Sequence, residues 1–426
     1  MKNRSYAPAI HHPPRGLSDF VDGFIDYCAP SNSPPIFTKW AAISGIAQAL
    51  ERKVHISNSI GCLYPNQYII LVGPPGIGKD TSINPIVDLL NGIEGIVYAP
   101  SIVTSQSLID KLAKNKKTYS HDGNDYIQHP MSINSTEFTN FLPEGSKTMK
   151  DLLTEVYPCT KRLEESTRKN GINIIDSPCI NILTATTTGN FKQVFDDLSW
   201  ESGLSARFMF VYADKGKQTK MFANMRDETE RARLGLLKCK LQSTLQVIHE
   251  MTGTFTIDTD LEDFLDEWDH SGTSKKAGPK HVNLVTYCTR RHAHALKVMQ
   301  CFSASESSSM RITMTHFKKA LALMEETEMV MQKLFTSQNH RFGATVFDFI
   351  TWMSETQKRE EKRKVSGTKV MRKLTEMHGT LSKSIFESYL TSGVILEGKY
   401  WSDSGQRELE TPKAMAARLF TAGNAH

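Results

Sequence analysis

Residues 68–90 read YIILVGPPGIGKDTSINPIVDLL, and no other stretch constrains the chain as tightly. The apolar run Tyr68 to Val72 has the length of a buried strand. A turn rich in glycine and proline follows, and then an apolar segment with helical spacing. Gly73, Gly78 and Lys79 fall in the register G-x-x-x-x-G-K, in the strand–loop–helix context that a phosphate-binding P-loop requires. Glycines there let backbone N–H groups turn toward an anion. A lysine at the head of a helix adds charge to the helix dipole. The predicted phosphate cradle is Gly73, Pro74, Pro75, Gly76, Ile77, Gly78, Lys79, Asp80 and Thr81.

The position after Lys79 is unusual. A hydroxyl is expected there to meet Mg²⁺, and Asp80 occupies it, followed by Thr81. A carboxylate beside phosphates repels them unless a metal lies between. Aspartate is a hard oxygen ligand, so Asp80 can replace the hydroxyl, with Thr81 as a second candidate metal ligand. G-K-D-T also occurs in some nucleotide kinases. A degenerate loop that binds without hydrolysing is the plainer alternative.

Composition narrows the setting. With 426 residues, 39% of them hydrophobic, the chain can fill two or three domains. A formal net charge of +5 permits nucleic-acid binding without arguing for it. Seven scattered cysteines with no C-x-x-C pair read as reduced thiols, which predicts a cytoplasmic protein. No apolar run approaches the ~18 residues of a membrane span. The cluster Cys288, His292, His294 and Cys301 does not bring four ligands to one helix face, so no metal site is expected there.

Strand candidates after the loop are GIVYA (95–99), MSIN (131–134), CINILTAT (179–186) and RFMFVYA (207–213), with helical segments between most of them. That alternation predicts an α/β fold with a largely parallel sheet covered on both faces. The expected organisation is a flexible tail (1–17), an N-terminal helical region (18–65), an α/β core (66–215), a helical domain (216–340) and a module at 341–426. Three short helices followed by the strand VILEGKYW make that last module resemble a winged helix. Its 14 Lys and Arg against 10 Asp and Glu suit DNA or protein equally. KNKKTYSH (114–121) reads as a surface loop carrying Lys114, Lys116 and Lys117.

Hydrolysis needs a group that positions water. MSIN runs into STEF, which places Glu137 at a strand end, with Thr136 where a second acid is usual. The alternative for Glu137 is an acid stabilised by a helix N-terminus. Thr186 and Thr187, with Asn190 a weaker choice, end an apolar strand where a side chain can sense a γ-phosphate. A turn rich in caps explains them as well. Arg207, at the mouth of a buried strand, suits an arginine finger on a neighbouring subunit, or a pair with an acid of its own chain.

Together, WAAISGIAQALERKV, LYPNQYIILVGPPGIGKD, INSTEF, PCINILTATTTGNF and GLSARFMFVY, in that order, resemble the P-loop ATPase domain of phage and plasmid replication proteins of the helicase or primase–helicase type, AAA+ and superfamily 3-like. The resemblance covers roughly residues 36–336, with the P-loop specific and the rest resting on order and spacing. It implies ATP and Mg²⁺ as cofactors, Lys79 as the Walker lysine, Glu137 as the catalytic glutamate and Arg207 as the finger. It also implies a homo-oligomeric ring, a hexamer. Asp80 and Thr136 depart from the pattern and put metal coordination in question. No primase segment precedes the core, so a separate primase is the expected partner.

Single-stranded DNA is the other expected partner. RKNGIN reads as a hairpin turn, since Asn-Gly favours tight turns. In ring helicases such a hairpin enters the pore, which would put Arg168 and Lys169 against phosphates. The expected function is ATP-driven translocation on DNA. The rivals are a nucleotide kinase and an ATP-binding loader or partitioning module that separates no strands.

Overall fold

The computed structural model describes residues 14–59, 61–100, 102–142, 146–160, 162–167, 171–195, 200, 203–219, 227–336, 352, 355–356 and 367–378. The chain divides into two units, Met1–Leu334 and Phe335–His426. In the second, the helix Gly367–His378 and residues 352 and 355–356 are described, and the other residues of the expected winged helix, including VILEGKYW, lie outside the described residues.

The first unit is α/β. Helix α1 (Phe20–Tyr27) starts at Asp19, whose carboxylate accepts from the N–H groups of Val21 and Asp22. Helix α2 (Pro35–Leu50) has proline at its first position, where a missing N–H costs nothing. From Trp40 to Leu50 every residue of α2 is buried, which explains why its sequence lacks a polar face. It packs on α1, on the main sheet, and on helices α3 (Asp80–Leu90), Glu228–Glu250 and Val285–Glu306. The N-terminal helical region is thus a central layer of the unit, not a separate domain.

Strands β1 (Val54–Asn58) and β2 (Gly61–Leu63) form a small antiparallel pair. The main sheet contains β3 (Tyr68–Val72), β4 (Lys117–His121), β5 (Asn124–Ser135), β8 (Pro178–Thr186) and β9 (Phe208–Tyr212), in the order β4-β5-β8-β3-β9. Strands β5, β8, β3 and β9 run parallel, and β4 is added antiparallel at the edge beyond β5. Every residue of β3, β8 and β9 is buried, as expected of parallel strands covered on both faces. The remaining strands β6 (Leu163–Thr167) and β7 (Gly171–Ile175) form an isolated antiparallel hairpin. It leans on helix α4 (Ser105–Lys114), where Asn173 Nδ2 donates to Asp110 at 2.7 Å.

Three expectations are corrected. Residues 117–121 are an edge strand, not a loop; alternating half-buried and exposed polar side chains are what an edge tolerates. GIVYA contributes only a parallel bridge, Tyr98 beside Ser132. Residues 14–17, expected in the flexible tail, are tied down: Arg15 donates to the Ala304 carbonyl at 2.7 Å, near the end of helix Val285–Glu306. Among the described residues no helix is long and apolar enough to cross a membrane.

Buried and half-buried amides fix the sheet to α2. Gln48 and Asn134 exchange two hydrogen bonds of 3.0 Å, and Asn181 donates to the Ala47 carbonyl at 3.2 Å. Unpaired, each of these groups would cost roughly 1–3 kcal/mol. Paired, they set where the carboxyl ends of β5 and β8 emerge.

A candidate nucleotide site at the carboxyl edge of the sheet

After β3 the chain passes through α3 toward the β5 side of the sheet, and after β8 it crosses to β9 on the other side. The strand order reverses at β3, and α/β sheets bind ligands in the crevice beyond the carboxyl ends at such a point. Val72 stands level with Thr186 and Tyr212 there. Residues 73–79 form the loop that leaves β3. Gly76 and Gly78 adopt φ of 78° and 94°, which side chains rarely reach. A Cβ on Gly78 would also lie 2.8 Å from Asn32 Oδ1, so the loop is closed on itself by a second segment.

That second segment, Ser31 to Pro34, reads in sequence as a mere break between helices. Thr81 Oγ1 lies 2.9 Å from both Asn32 Oδ1 and the Gly78 carbonyl oxygen, either of which can accept its proton. Ser33 and Ser82 share a hydrogen bond beside it. Contacts across 49 positions leave no local signature. The only hint is a run of small polar residues between prolines.

Lys79 is buried, 9% exposed, and its Nζ donates to the Gly73 and Pro74 carbonyls at 2.9 Å each. Burial lowers its pKa, and the nearby carboxylates of Asp80 and Glu137 oppose that shift. Asp80 opens α3 and is exposed, as are Pro75, Gly76 and Thr81. Glu137 is half-buried at the end of β5. Its Oε1 accepts from Thr139 Oγ1 at 3.0 Å, Thr186 Oγ1 at 3.2 Å and, at the limit of 3.5 Å, Asn190 Nδ2. Three residues singled out from sequence therefore meet: Glu137, Thr186 and Asn190. Thr187 does different work, since its Oγ1 caps the helix Thr188–Val194 by accepting from the Asn190 N–H. Thr136 is exposed beside Glu137.

Arg207 lies at the opposite edge. It precedes Phe208, which pairs with Tyr68 at the amino end of β3. Five residues of strand at ~3.3 Å each put it roughly 15 Å from the loop of its own chain. Its Nη1 donates to the Gly203 carbonyl at 2.6 Å, and its guanidinium sits 5.8 Å from the Tyr157 ring centroid. Among the described residues it forms no ion pair with an acid. Burial, and next the neighbouring Arg290, lower its pKa.

Arg168 and Lys169 lie outside the described residues. The strands on either side pair with Thr167 opposite Gly171. Of the lysines at 114, 116 and 117, Lys117 is committed to Glu51 at 2.5 Å.

The donor set suits a nucleotide-borne metal. Among the described residues no three His, Cys, Asp or Glu converge on a point. Mg²⁺ commonly needs only one or two protein carboxylates when phosphates supply the rest, and Asp80 and Glu137 are the acids closest to the loop lysine. No protein-family model matches this chain, and no curated protein is significantly similar to it.

Proposed function

We propose that this protein is an ATPase that moves on single-stranded DNA as a ring, in the manner of viral and plasmid replication helicases. One observation carries the reading: a closed glycine-rich loop with a buried lysine opens onto a glutamate held by Thr186 and Asn190, all at the reversal point of the sheet. Bound at that loop, Mg²⁺-ATP supplies an activated phosphoanhydride for attack by water. The chain does the rest. Lys79 exchanges two loop carbonyls for phosphate oxygens, and loop N–H groups share the charge. Glu137, with one oxygen held by Thr186 and Asn190, keeps the other to orient the attacking water. Asp80 stands at the head of α3 as a metal ligand.

The placement of Arg207 supports a ring. It is too far from its own loop to act there, so a role in hydrolysis requires the loop of another copy. The β6–β7 hairpin supports a polymer-gripping element, with Arg168 and Lys169 as the contacts, and a separate primase would complete the replication function. The test is ATP hydrolysis with and without single-stranded DNA. Stimulation of about tenfold is expected, lost in Lys79→Ala. Consumption of ATP only when a nucleoside monophosphate is added would make the protein a kinase. DNA stimulation without strand separation would make it a loader.

A further inference from the structure

Away from the loop, two buried thiols meet, and the phosphate chemistry uses neither. Cys159 and Cys179 pack together with Tyr64, and neither cysteine is more than 1% exposed. The Cys159 thiol donates to the Tyr157 carbonyl at 3.5 Å and accepts from the Cys179 thiol. The two residues bracket the excursion that carries the β6–β7 hairpin. Cys159 closes the turn after helix Lys147–Val156, its N–H donating to the Val156 carbonyl at 3.1 Å. Cys179 is the second residue of β8, level with Pro130 of β5.

The backbone around the pair is held in an unusual form. The chain enters the excursion at φ 61° on Cys159 and leaves it at φ 57° on Ser177, left-handed values that residues other than glycine seldom adopt. Arg52 Nε donates to the Cys159 carbonyl at 2.6 Å, and its guanidinium lies 4.3 Å from the Tyr64 ring centroid. Cys159 is thus pinned with its sulfur against Cys179. Burial raises the Cys159 thiol, but the hydrogen bond from Cys179, and after it the charges of Lys297 and Arg52, bring it below its ordinary value. The bond to Cys159 and burial push the Cys179 thiol well above its own. One sulfur is therefore inclined to ionise, and its neighbour to keep its proton.

We infer that Cys159 and Cys179 are a redox modification site, which hydrogen peroxide converts to a disulfide that ties the base of the hairpin. The inference stands whether or not the loop binds ATP. The Cys159 sulfur attacks one peroxide oxygen, the O–O bond breaks, and the other oxygen leaves as water with the thiol proton. This makes Cys159 a sulfenic acid. The Cys179 sulfur then attacks the Cys159 sulfur, the S–O bond breaks, and the hydroxyl leaves as water with the Cys179 proton. The two thiols lose two electrons and the peroxide gains them. Peroxide is small and uncharged, so brief local opening admits it, whereas burial keeps out bulky disulfide oxidants. The product closes residues 159 to 179 into a covalent ring around the hairpin, and an added thiol reopens it.

The test treats the native full chain with hydrogen peroxide, blocks the remaining thiols with iodoacetamide in urea, and reads the tryptic peptides by mass spectrometry without reduction. Cleavage after lysine and arginine puts the two cysteines on DLLTEVYPCTK and NGINIIDSPCINILTATTTGNFK. The two should appear as one linked species that dithiothreitol separates, and their alkylated forms should fall together by roughly tenfold. Cys179→Ser should stop at the sulfenic acid on Cys159, which dimedone labels, and Cys159→Ser should leave Cys179 unlabelled. Equal labelling of the two variants would overturn the division of roles. The parent measurement needs no substitution, so it decides the proposal even where a variant fails to fold. If peroxide oxidises the exposed Cys62 and Cys239 while both peptides stay fully alkylated, the pair is core packing and nothing more. A link that forms only in the urea-unfolded chain would overturn the proposal equally.

Discussion

Strand β3 has a buried lysine near each end, and the two behave differently. At the carboxyl end, Lys79 rests on two carbonyls of the loop that it belongs to. At the amino end, Lys297 reaches in from helix Val285–Glu306 and donates to the Tyr64 carbonyl at 2.8 Å and to both oxygens of Asn66. Its ammonium also lies 4.5 Å from the Tyr157 ring centroid. Burial pulls both lysines below their ordinary pKa, Lys297 to about 8. Burial and a shifted pKa therefore do not separate the lysine proposed to meet phosphate from the structural one. What separates them is whether an incoming anion can replace the partners. The partners of Lys79 sit in a loop open at Pro75 and Gly76, whereas those of Lys297 are sealed between helix and sheet.

The comparison breaks first on stability. Lys297→Met leaves three buried acceptors without a donor and should destabilise the fold by about 3 kcal/mol or more in urea titration. Lys79→Met should cost under ~1 kcal/mol, since loop and solvent can satisfy its two carbonyls. Equal losses would erase the distinction. Linkage sharpens it. The folded pKa of Lys297 is about 8 against an ordinary 10.5, so between those values the unfolded chain holds a proton that the folded chain has released. Stability from this group therefore rises with pH across that window. The deficit of Lys297→Met against the parent should widen from pH 8 to pH 10; a constant deficit would contradict the burial of the ammonium.

A somewhat smaller effect is expected from Glu137→Gln. It keeps the hydrogen bonds of the carboxyl edge and removes the base, so hydrolysis should fall about 10²-fold with nucleotide affinity nearly unchanged. An equal loss of affinity would mean that Glu137 holds the ligand and does not orient water. The smallest signal concerns the amino edge. Lys79→Ala and Arg207→Ala should each be inactive alone. Mixed, they should regain activity, because about a quarter of randomly formed interfaces pair an intact loop with an intact arginine. No recovery would leave Arg207 as a residue that only braces Gly203 and Tyr157.

Much of the α/β core was legible because its strands are buried on both faces: YIILV, INILTA and FMFVY stand out as apolar runs whatever their neighbours. The loop was legible because few sequences satisfy its glycine register. Strand β4 was not, since an edge strand reading KTYSH resembles a solvated loop. Glu137 and Thr186 were found by position, but their contact joins residues 49 apart, and Asn32 reaches Thr81 across the same separation. Lys297, in a helix reading RRHAHALKVMQCF, looks like a solvent-facing charge until the helix is seen packed on all sides.

The hairpin and the glutamate are joined by a single strand and a short connection. Strand β7 ends at Ile175, and after Asp176 and Ser177 the chain enters β8, bonded to β5 on one side and to β3 on the other. Its nine buried residues span about 26 Å and end at Thr186, against Glu137. At its start Cys179 meets the Cys159 thiol, and Arg52 holds the Cys159 carbonyl at 2.6 Å, so the two ends of the excursion that carries the hairpin are fastened together at their base. Mechanically this is a strut on a fixed pivot. A load taken up by the hairpin crosses one two-residue joint and then travels along a strand braced on both edges. Beyond that joint, no loop separates it from the hydroxyl that holds the glutamate.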